Sequence, residues 1–155
     1  MAFSSDRDGG RNLDLWVQQL AGGKPLRLTD DPADEWFPSF SPDGRFIAFI
    51  IVPPSLEARL FKMYVVSPMG GEPRPIHPDF YPIMIGQGGS LVWSPDSKFL
   101  IFRGRRADDP QSMDWWVAPV EGGTPVRTHA VRNLGLTAIV HYPVGWSGFF
   151  PIFPN

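Results

Sequence analysis

Short apolar segments separated by turn-forming residues recur along the chain. Residues 45–51 and 98–103 are rich in aromatic and branched side chains, and each segment follows a Ser-Pro-Asp sequence. Apolar runs of this length that begin at a turn are typical of β-strands. In the first turn we expect Gly44 to adopt a positive φ, which glycine tolerates without steric penalty. Ser97 holds the same place in the second turn and is expected to fit it less well.

Two further strands per repeat are predicted around a Gly-Gly-x-Pro turn that occurs three times. The strands before these turns are predicted at 15–20, 60–66 and 114–120, and the strands after them at 26–29, 74–77 and 126–129. In a second register, Phe40, Trp93 and Trp146 follow one another at intervals of 53 residues. A period of about fifty residues with four antiparallel strands matches one blade of a β-propeller.

The repeats predict an all-β chain that forms part of a β-propeller, with about three four-stranded antiparallel blades and incomplete blades at both ends. A partial first blade is predicted at 1–36, the second blade at 37–89, the third at 90–142, and a truncated further blade or tail at 143–155. Met1 aligns with the middle of a strand in the other repeats. We therefore expect a fragment of a longer protein, or a partial ring that self-associates through its open blade edges.

Four segments carry a resemblance to a known family: Phe3–Gly9, Asp14–Val17, Gly22–Thr29 and Phe40–Phe49. Together they closely resemble TolB-like, WD-repeat-like β-propeller repeats, and the resemblance is strong over about residues 1–129. Leu15–Leu20 with Asp30–Asp34 looks most like the propeller regions of bacterial Ser/Thr kinases.

The resemblance implies a rigid, non-catalytic scaffold that binds a protein or peptide within a larger sensor or TolB-like protein. The alternative is the substrate-gating propeller of a prolyl-oligopeptidase-like or tricorn-like serine peptidase whose catalytic domain lies elsewhere. Similar families often work in the periplasm or outside the cell, which the resemblance implies for this chain. No signal peptide is recognisable at Met1, so residence inside the cytoplasm fits the sequence equally well.

Composition removes several functional classes. The chain has 14 basic and 16 acidic side chains, and its formal net charge of −2 provides no excess of positive charge to attract nucleic acid. It has no cysteine, which excludes disulfides and thiolate metal sites. No apolar run approaches the roughly 18 residues of a membrane span. No glycine-rich nucleotide-binding motif occurs, so we expect a protein or peptide partner and no cofactor.

One short segment resembles a catalytic motif. Gly145–Phe149 reads Gly-Trp-Ser-Gly-Phe and resembles the nucleophile elbow of prolyl-oligopeptidase-like hydrolases. The elbow needs a glycine two residues after the serine, and Phe149 holds that position. Because Trp146 continues the repeat, Ser147 is better explained as part of another turn. We therefore expect no catalytic residue and no enzymatic activity in this chain.

Aromatic and basic residues outside the repeated core positions are the candidates for a binding surface. The aromatic candidates are Trp36, Phe37, Phe80, Tyr81 and Trp115, and the basic candidates are Arg105 and Arg106. Several of them lie in insertions relative to the shortest repeat, and insertions on a repeat scaffold often carry its binding role. Together with Arg103, the two arginines form a basic loop, and Asp108 and Asp109 follow closely and are expected to neutralise its charge.

Overall fold

The structure is a computed structural model that describes residues 1–9, 12–54, 60–83 and 91–134. Within these ranges the chain forms twelve β-strands in three antiparallel sheets, one short α-helix and one turn of 3-10 helix. The three sheets follow the order of the fifty-residue repeats. This arrangement confirms the prediction of an all-β chain built from propeller-like sheets. Among the described residues, no helix has the length and apolar character needed to cross a membrane.

The first sheet has three strands in the order β1-β2-β3, which span Ala2–Ser5, Asp14–Val17 and Leu26–Arg27. Its central strand is β2, in which Trp16 pairs with Phe3 on one side and with Arg27 on the other. The indole Nε1 of Trp16 donates a hydrogen bond to the carbonyl oxygen of Ser5 at 3.1 Å. This bond adds a side-chain link between two strands that are already paired through their backbones.

The second sheet has four strands in the order β4-β5-β6-β7, which span Asp34–Phe40, Ile47–Val52, Lys62–Val66 and Arg74–Ile76. The predicted strands at 45–51, 60–66 and 74–77 agree with β5, β6 and β7 to within two residues at each end. Strand β4 carries a register shift between Trp36 and Ser39, and Phe37 inside this bulge has a φ of 57°.

The third sheet has five strands, β8 to β12, which span Phe80–Pro82, Leu91–Trp93, Phe99–Arg106, Asp114–Pro119 and Val126–Arg127. Strand β10 is the longest and pairs with β11 along one edge. Its other edge is shared, because β9 pairs with the end near Leu100 and β8 pairs with the end near Gly104. A 3-10 turn at Pro110–Ser112 joins β10 to β11, and helix α1 at Ala130–Leu134 follows β12.

The position of β8 differs from the repeat-based division of the chain. The spacing of the repeats assigned residues 37–89 to the second blade, yet Phe80–Pro82 pairs with β10 of the third sheet. The reason is the length of β10, which continues past the last residue paired with β9 and leaves backbone N–H and C=O groups that need partners. Strand β8 supplies those partners, so the third sheet begins before residue 90.

Strand β5 lies at the centre of the core, because successive residues of a strand face opposite sides of the sheet. On one side Phe49 belongs to a buried cluster with Leu15 of the first sheet. On the other side Ile50 belongs to a larger buried cluster that includes Leu100 and Phe102 of the third sheet. The second sheet is therefore packed between its two neighbours.

Aromatic side chains pack against one another on the buried face of the third sheet, and one of its tryptophans bonds to the second sheet. The ring of Phe80 lies edge-on to Phe102 and Trp116, with centroid distances of 5.8 and 4.8 Å. The indole Nε1 of Trp93 donates to the carbonyl oxygen of Ser39 across the junction at 3.0 Å. Edge-on aromatic pairs of this kind stabilise a core beyond the burial of their area. Among the described residues the second sheet covers one face of the third sheet, and no sheet covers the other.

Candidate binding face on the third sheet

The third sheet carries two arginines on the face turned away from the second sheet. Along β10, Leu100 and Phe102 are fully buried in the cluster shared with the second sheet. Ile101, Arg103 and Arg105 alternate with them and are half-buried. Because side chains alternate along a strand, these three residues lie on the opposite face. We call this the outer face.

Neighbouring strands add aromatic side chains to the outer face, because residues paired across antiparallel strands share a face. Arg103 pairs with Trp115 of β11, and Arg105 pairs with Tyr81 of β8. Both aromatic residues are half-buried, whereas the residues next to them in their strands are buried. The outer face is defined by six residues: Tyr81, Ile101, Arg103, Arg105, Trp115 and Val117.

Tyr81 lies close to two cations. The guanidinium carbon of Arg105 is 5.1 Å from the centre of the Tyr81 ring, and Nζ of Lys62 is 4.2 Å from it. Lys62 Nζ also donates a hydrogen bond to the carbonyl oxygen of Pro78. Burial lowers the pKa of Lys62, an effect that the charge of Asp79 partly offsets. The attraction between a cation and an aromatic face holds the ring in place at the edge of the outer face.

The arginines of the outer face differ from the other arginines of the third sheet in their partners. In the described part of the chain, neither Arg103 nor Arg105 takes part in an ion pair. Arg105 donates from Nη1 to the carbonyl oxygen of Arg106 at 3.2 Å. The Nε atom of Arg103 is buried and has no hydrogen-bond partner.

Arg106 is different, because Asp108 neutralises it. Its Nε and Nη2 atoms donate to the two carboxylate oxygens of Asp108, each at 2.9 Å. The hydrogen bond to Asp108 raises the pKa of Arg106, and the same bond lowers the pKa of Asp108. Asp108 therefore neutralises Arg106, as expected from the sequence. Asp109 does not pair with this arginine, and its side chain accepts a hydrogen bond from the backbone N–H of Gln111 in the 3-10 turn.

The other aromatic candidates lie in or against the core. Phe80 is 2% exposed and packs in the cluster between the second and third sheets, so it has no surface to offer a partner. Trp36 and Phe37 are half-buried against the same cluster, with their rings edge-on at 5.8 Å. Among the predicted residues, the structure therefore brings together Tyr81, Arg105 and Trp115. Sequence reasoning placed Arg103 in a neutralised basic loop and did not name it for the binding surface, although its spacing of two residues from Arg105 was a usable signal.

A groove of about 240 Å³ lies where the second and third sheets meet. Arg74 donates from Nη1 to the carbonyl oxygen of Val120 at 3.1 Å, and His77 Nε2 lies 2.8 Å from the carbonyl oxygen of Pro119. The polar side chains of this groove thus bridge the two sheets. We interpret the groove as a seam between sheets, with its hydrogen-bonding groups already engaged.

Two Asp–Arg pairs, each with a buried aspartate and a partly exposed arginine, occupy the same repeat position in the first and third sheets. Asp14 pairs with Arg27, and Asp114 pairs with Arg127. Burial raises the pKa of Asp14, and the nearby charge of Arg27 offsets only part of this rise. Burial acts on Asp114 in the same direction, but two backbone N–H groups and the Arg127 guanidinium outweigh it, so the pKa of Asp114 is lowered. Both pairs join neighbouring strands and lie away from the outer face.

Glu35 is fully buried where the first and second sheets meet. Its backbone N–H donates to the carbonyl oxygen of Leu13 at 2.8 Å, and Thr29 Oγ1 donates to its Oε2 at 2.8 Å. Burial raises the pKa of Glu35 to about 8, and the nearby carboxylates of Asp31 and Asp14 add to the rise. These hydrogen bonds connect the two sheets through Glu35, whose raised pKa favours the protonated, neutral carboxyl group.

The described residues contain no group of three or more histidine or acidic side chains placed to hold a metal ion. The elbow-like segment Gly145–Phe149 and the predicted blade start or tail at 143–155 lie outside the described residues. The predictions made for these two segments therefore stay predictions.

A scan against protein-family models and a search of curated proteins returned no match. Among solved structures, the chain is similar to a protein from Agrobacterium tumefaciens assigned as TolB, with a TM-score of 0.56 and 22% sequence identity. The alignment covers 82% of this chain. The chain has a TolB-like β-propeller fold.

The similarity covers 44% of the Agrobacterium protein, so this chain spans less than half of that protein's length. At 22% identity the likeness is one of fold, and a fold hosts many functions. The resemblance to TolB-like repeats is thus confirmed for the TolB-like fold. The closer resemblance to kinase-associated propellers stays a prediction, and function has to be argued from the outer face.

Proposed function

We propose that this chain is a non-catalytic TolB-like propeller module that binds a protein or peptide segment on the outer face of its third sheet. The observation that carries the proposal is the grouping of Arg103 and Arg105 with Trp115 and Tyr81 on one half-buried sheet face. Arginine, tyrosine and tryptophan are the residue types that most often dominate the binding energy of protein interfaces.

The third sheet, which carries these residues, is stabilised by strand pairing and by core packing. Strand β10 is paired on both edges, and its buried face packs on the second sheet through Leu100 and Phe102. A surface that is ordered before binding loses little conformational entropy when a partner arrives, which favours affinity. The aromatic and cationic groups of the outer face are therefore presented on a rigid support.

We further propose that the module works as part of a larger sensor-like or TolB-like protein. Support comes from the Agrobacterium structure, in which the matched region is 44% of the chain. A substrate-gating role beside a peptidase domain remains the alternative, and no contact on the outer face favours it over a binding role.

Selection from a displayed library of random linear peptides tests the binding role. We expect peptides that are enriched on the immobilised chain and that lose binding when Tyr81 and Trp115 are both changed to Ala. Met69→Ala is the matched control, because this side chain is 86% exposed and lies outside the outer face. Circular dichroism spectra of the variants check that the sheets are retained. Peptides that bind the double variant as well as the parent chain would contradict the proposed face.

A further inference from the structure

We infer that Glu35 is a pH-sensitive switch between the first and second sheets. It keeps one end of their junction closed while its carboxyl group is protonated, and this end opens locally, ahead of the rest of the fold, once the group ionises. The end concerned is formed by residues 12–15 around the start of β2 and residues 29–35 before and within β4. We call it the polar junction. The inference is independent of the binding role proposed for the outer face.

The hydrogen bonds of the polar junction centre on Glu35. Its backbone N–H donates to the carbonyl oxygen of Leu13 at 2.8 Å, and Oγ1 of Thr29 donates to its Oε2 at 2.8 Å. The same Thr29 oxygen accepts the backbone N–H of Leu15 at 2.8 Å. The backbone N–H of Leu13 donates to Oδ1 of Asp34 at 2.7 Å. Strand β2 is thus joined to β4 through Glu35 and the residue beside it.

The surroundings of the Glu35 carboxyl group favour its neutral form. The residue is fully buried, and its Oε1 has no hydrogen-bond partner in the described chain. The acidic groups of the elements packed here are Asp14 on β2, Asp31 in the connection between β3 and β4, and Asp34 on β4 itself. Arg27 of β3 binds Asp14 and two further aspartates. Strands β1 and β5 carry no charged side chain, so an ionised Glu35 would be a buried charge among like charges.

The sign of the pH response follows from this environment. Burial raises the pKa of Glu35 to about 8, and the charges of Asp31 and Asp14 add to the rise, whereas the bond from Thr29 partly offsets it. When the polar junction is open, the carboxyl group is hydrated and has its ordinary pKa near 4.5. The preference for the closed form is therefore greatest below pH 4.5, falls as the pH rises to 8, and is level above that value.

The rest of the same junction is apolar and does not titrate. Leu15 and Leu28 of the first sheet belong to a buried cluster with Ile47, Phe49 and Val66 of the second. Ionisation of Glu35 leaves the packing energy of this cluster unchanged. We therefore expect the opening to be confined to the polar junction, with the sheets themselves retained.

Hydrogen exchange of backbone amides, followed by NMR, tests the inference. The reporters are the amides of Leu13, Leu15 and Glu35, whose bonds lie in the polar junction. Their protection factors, which correct for the intrinsic acceleration of exchange by base, are expected to fall by at least about tenfold from pH 6 to pH 8. Local opening exposes little surface, so exchange at pH 8 should depend only weakly on low concentrations of urea. The slowest amides of β10 report global unfolding and should depend on urea strongly.

Variants identify the titrating group. Glu35→Gln cannot ionise, so the protection factors of the polar junction should stay within about twofold between pH 6 and pH 8. Asp31→Asn removes a charge that disfavours ionisation, so the fall should become smaller, which gives a second test should Glu35→Gln not fold. Glu72→Gln, at an exposed carboxyl group, is the matched control and should keep the fall of the parent chain. Arg11 lies outside the described residues, and R11Q is likewise expected to keep the fall.

The outcomes separate local opening from other effects of pH. Equal protection at pH 6 and pH 8 in the parent chain, a fall that persists in Glu35→Gln, or a fall that is lost in R11Q would each overturn the inference. A fall with the same urea dependence as the slowest β10 amides would also overturn it, because Glu35 would then act only on global unfolding. The proposed function is tested separately, by peptide selection on the outer face.

Discussion

The backbone N–H of Asp43 donates a hydrogen bond to Oγ of Ser97 at 3.0 Å. The two residues belong to equivalent turns in the second and third sheets, so the bond joins neighbouring repeats. Gly44 takes a φ of 72° in the first turn, and Ser97 takes a φ of 62° at the same place in the second turn. The serine therefore accepts an unfavourable backbone conformation where its hydroxyl binds the preceding turn.

Ser97→Ala is expected to destabilise the chain by about 1–2 kcal/mol, because it removes the acceptor for the Asp43 N–H and keeps the strained backbone. Ser97→Gly also removes the acceptor but relieves the strain, so it should cost less than the alanine change. Urea unfolding midpoints of the two variants and the parent chain provide the measurement. A larger loss with glycine than with alanine would show that the positive φ at this position is not a source of strain.

The free energy of unfolding should depend on pH because Glu35 is buried and its pKa is raised. Its pKa is raised from about 4.5 to about 8 on folding, so the folded chain holds a proton that the unfolded chain releases. The contribution of this group to stability is therefore greatest below pH 4.5, falls as the pH rises to 8, and is level above that value. The slope approaches roughly 1.4 kcal/mol per pH unit within this window.

Glu35→Gln removes the titrating proton while keeping the size of the side chain. We expect the variant to lose most of the pH dependence between pH 5 and 8 and to be more stable than the parent at pH 8 by roughly 1–3 kcal/mol. Denaturant unfolding at a series of pH values measures both effects. Glu72→Gln is the control, since Glu72 is an exposed carboxyl outside the sheet junctions. An identical pH profile for the parent and Glu35→Gln would exclude this residue as the source.

Local sequence patterns predict much of the fold, and strand β5 is a clear case. Strand β5 was predicted within two residues, because its apolar run and the turn that ends at Gly44 are both local signals. The pairing of Phe80–Pro82 with β10 was not predicted, because it depends on how far β10 extends in three dimensions. For the same reason Phe80 was expected at a surface, although its ring packs between Phe102 and Trp116.

The candidate binding face was accessible to sequence reasoning only in part. Tyr81 and Trp115 were named because they fall outside the repeated aromatic positions, and Arg105 because it begins an insertion relative to the shortest repeat. Arg103 was grouped with Arg105 and Arg106 in a basic loop that Asp108 and Asp109 were expected to neutralise, and it was not named among the binding-surface residues. Its importance depends on the register of β10 with β8 and β11, which places Arg103 and Arg105 between two aromatic residues. Strand register is set by tertiary pairing that local patterns do not specify.

Gly104→Ala is expected to disrupt the third sheet. A Cβ atom at this position would lie 2.5 Å from the carbonyl oxygen of Tyr81 and 3.0 Å from Cα of Pro82, so strand β8 would have to move away from β10. We expect a loss of stability of about 1–3 kcal/mol and weaker protection of the β8 amides from hydrogen exchange. Gly44→Ala is the comparison, because its Cβ would meet open space and only the positive φ is unfavourable. A smaller cost at Gly104 than at Gly44 would argue against close packing of β8 on β10.

Replacing aspartate by asparagine should cost different amounts of stability in the two Asp–Arg pairs, Asp114–Arg127 and Asp14–Arg27. The pKa of Asp114 is lower in the folded chain than in the unfolded chain, where it is about 4. The ionised carboxylate therefore stabilises the fold fully above about pH 4, and this contribution is lost as the pH falls through the folded pKa. Asp114→Asn should therefore cost roughly 2–3 kcal/mol at pH 7, because two backbone N–H groups and Arg127 lose a charged acceptor. The cost should shrink as the pH falls from about 4 through the lower folded pKa, because the carboxylate is protonated first in the unfolded and then in the folded parent chain.

Asp14→Asn provides the matched comparison for Asp114→Asn. The pKa of Asp14 is raised by its burial, so its ionised form is already penalised in the folded chain. Arg27 also pairs with Asp8 and Asp30, which remain as partners after the change. We therefore expect Asp14→Asn to cost clearly less at pH 7 than Asp114→Asn, as measured by unfolding in urea at pH 7 and pH 3. Equal costs for the two variants at pH 7 would mean that the backbone donors around Asp114 contribute little, and that the shared Asp–Arg pairing accounts for both.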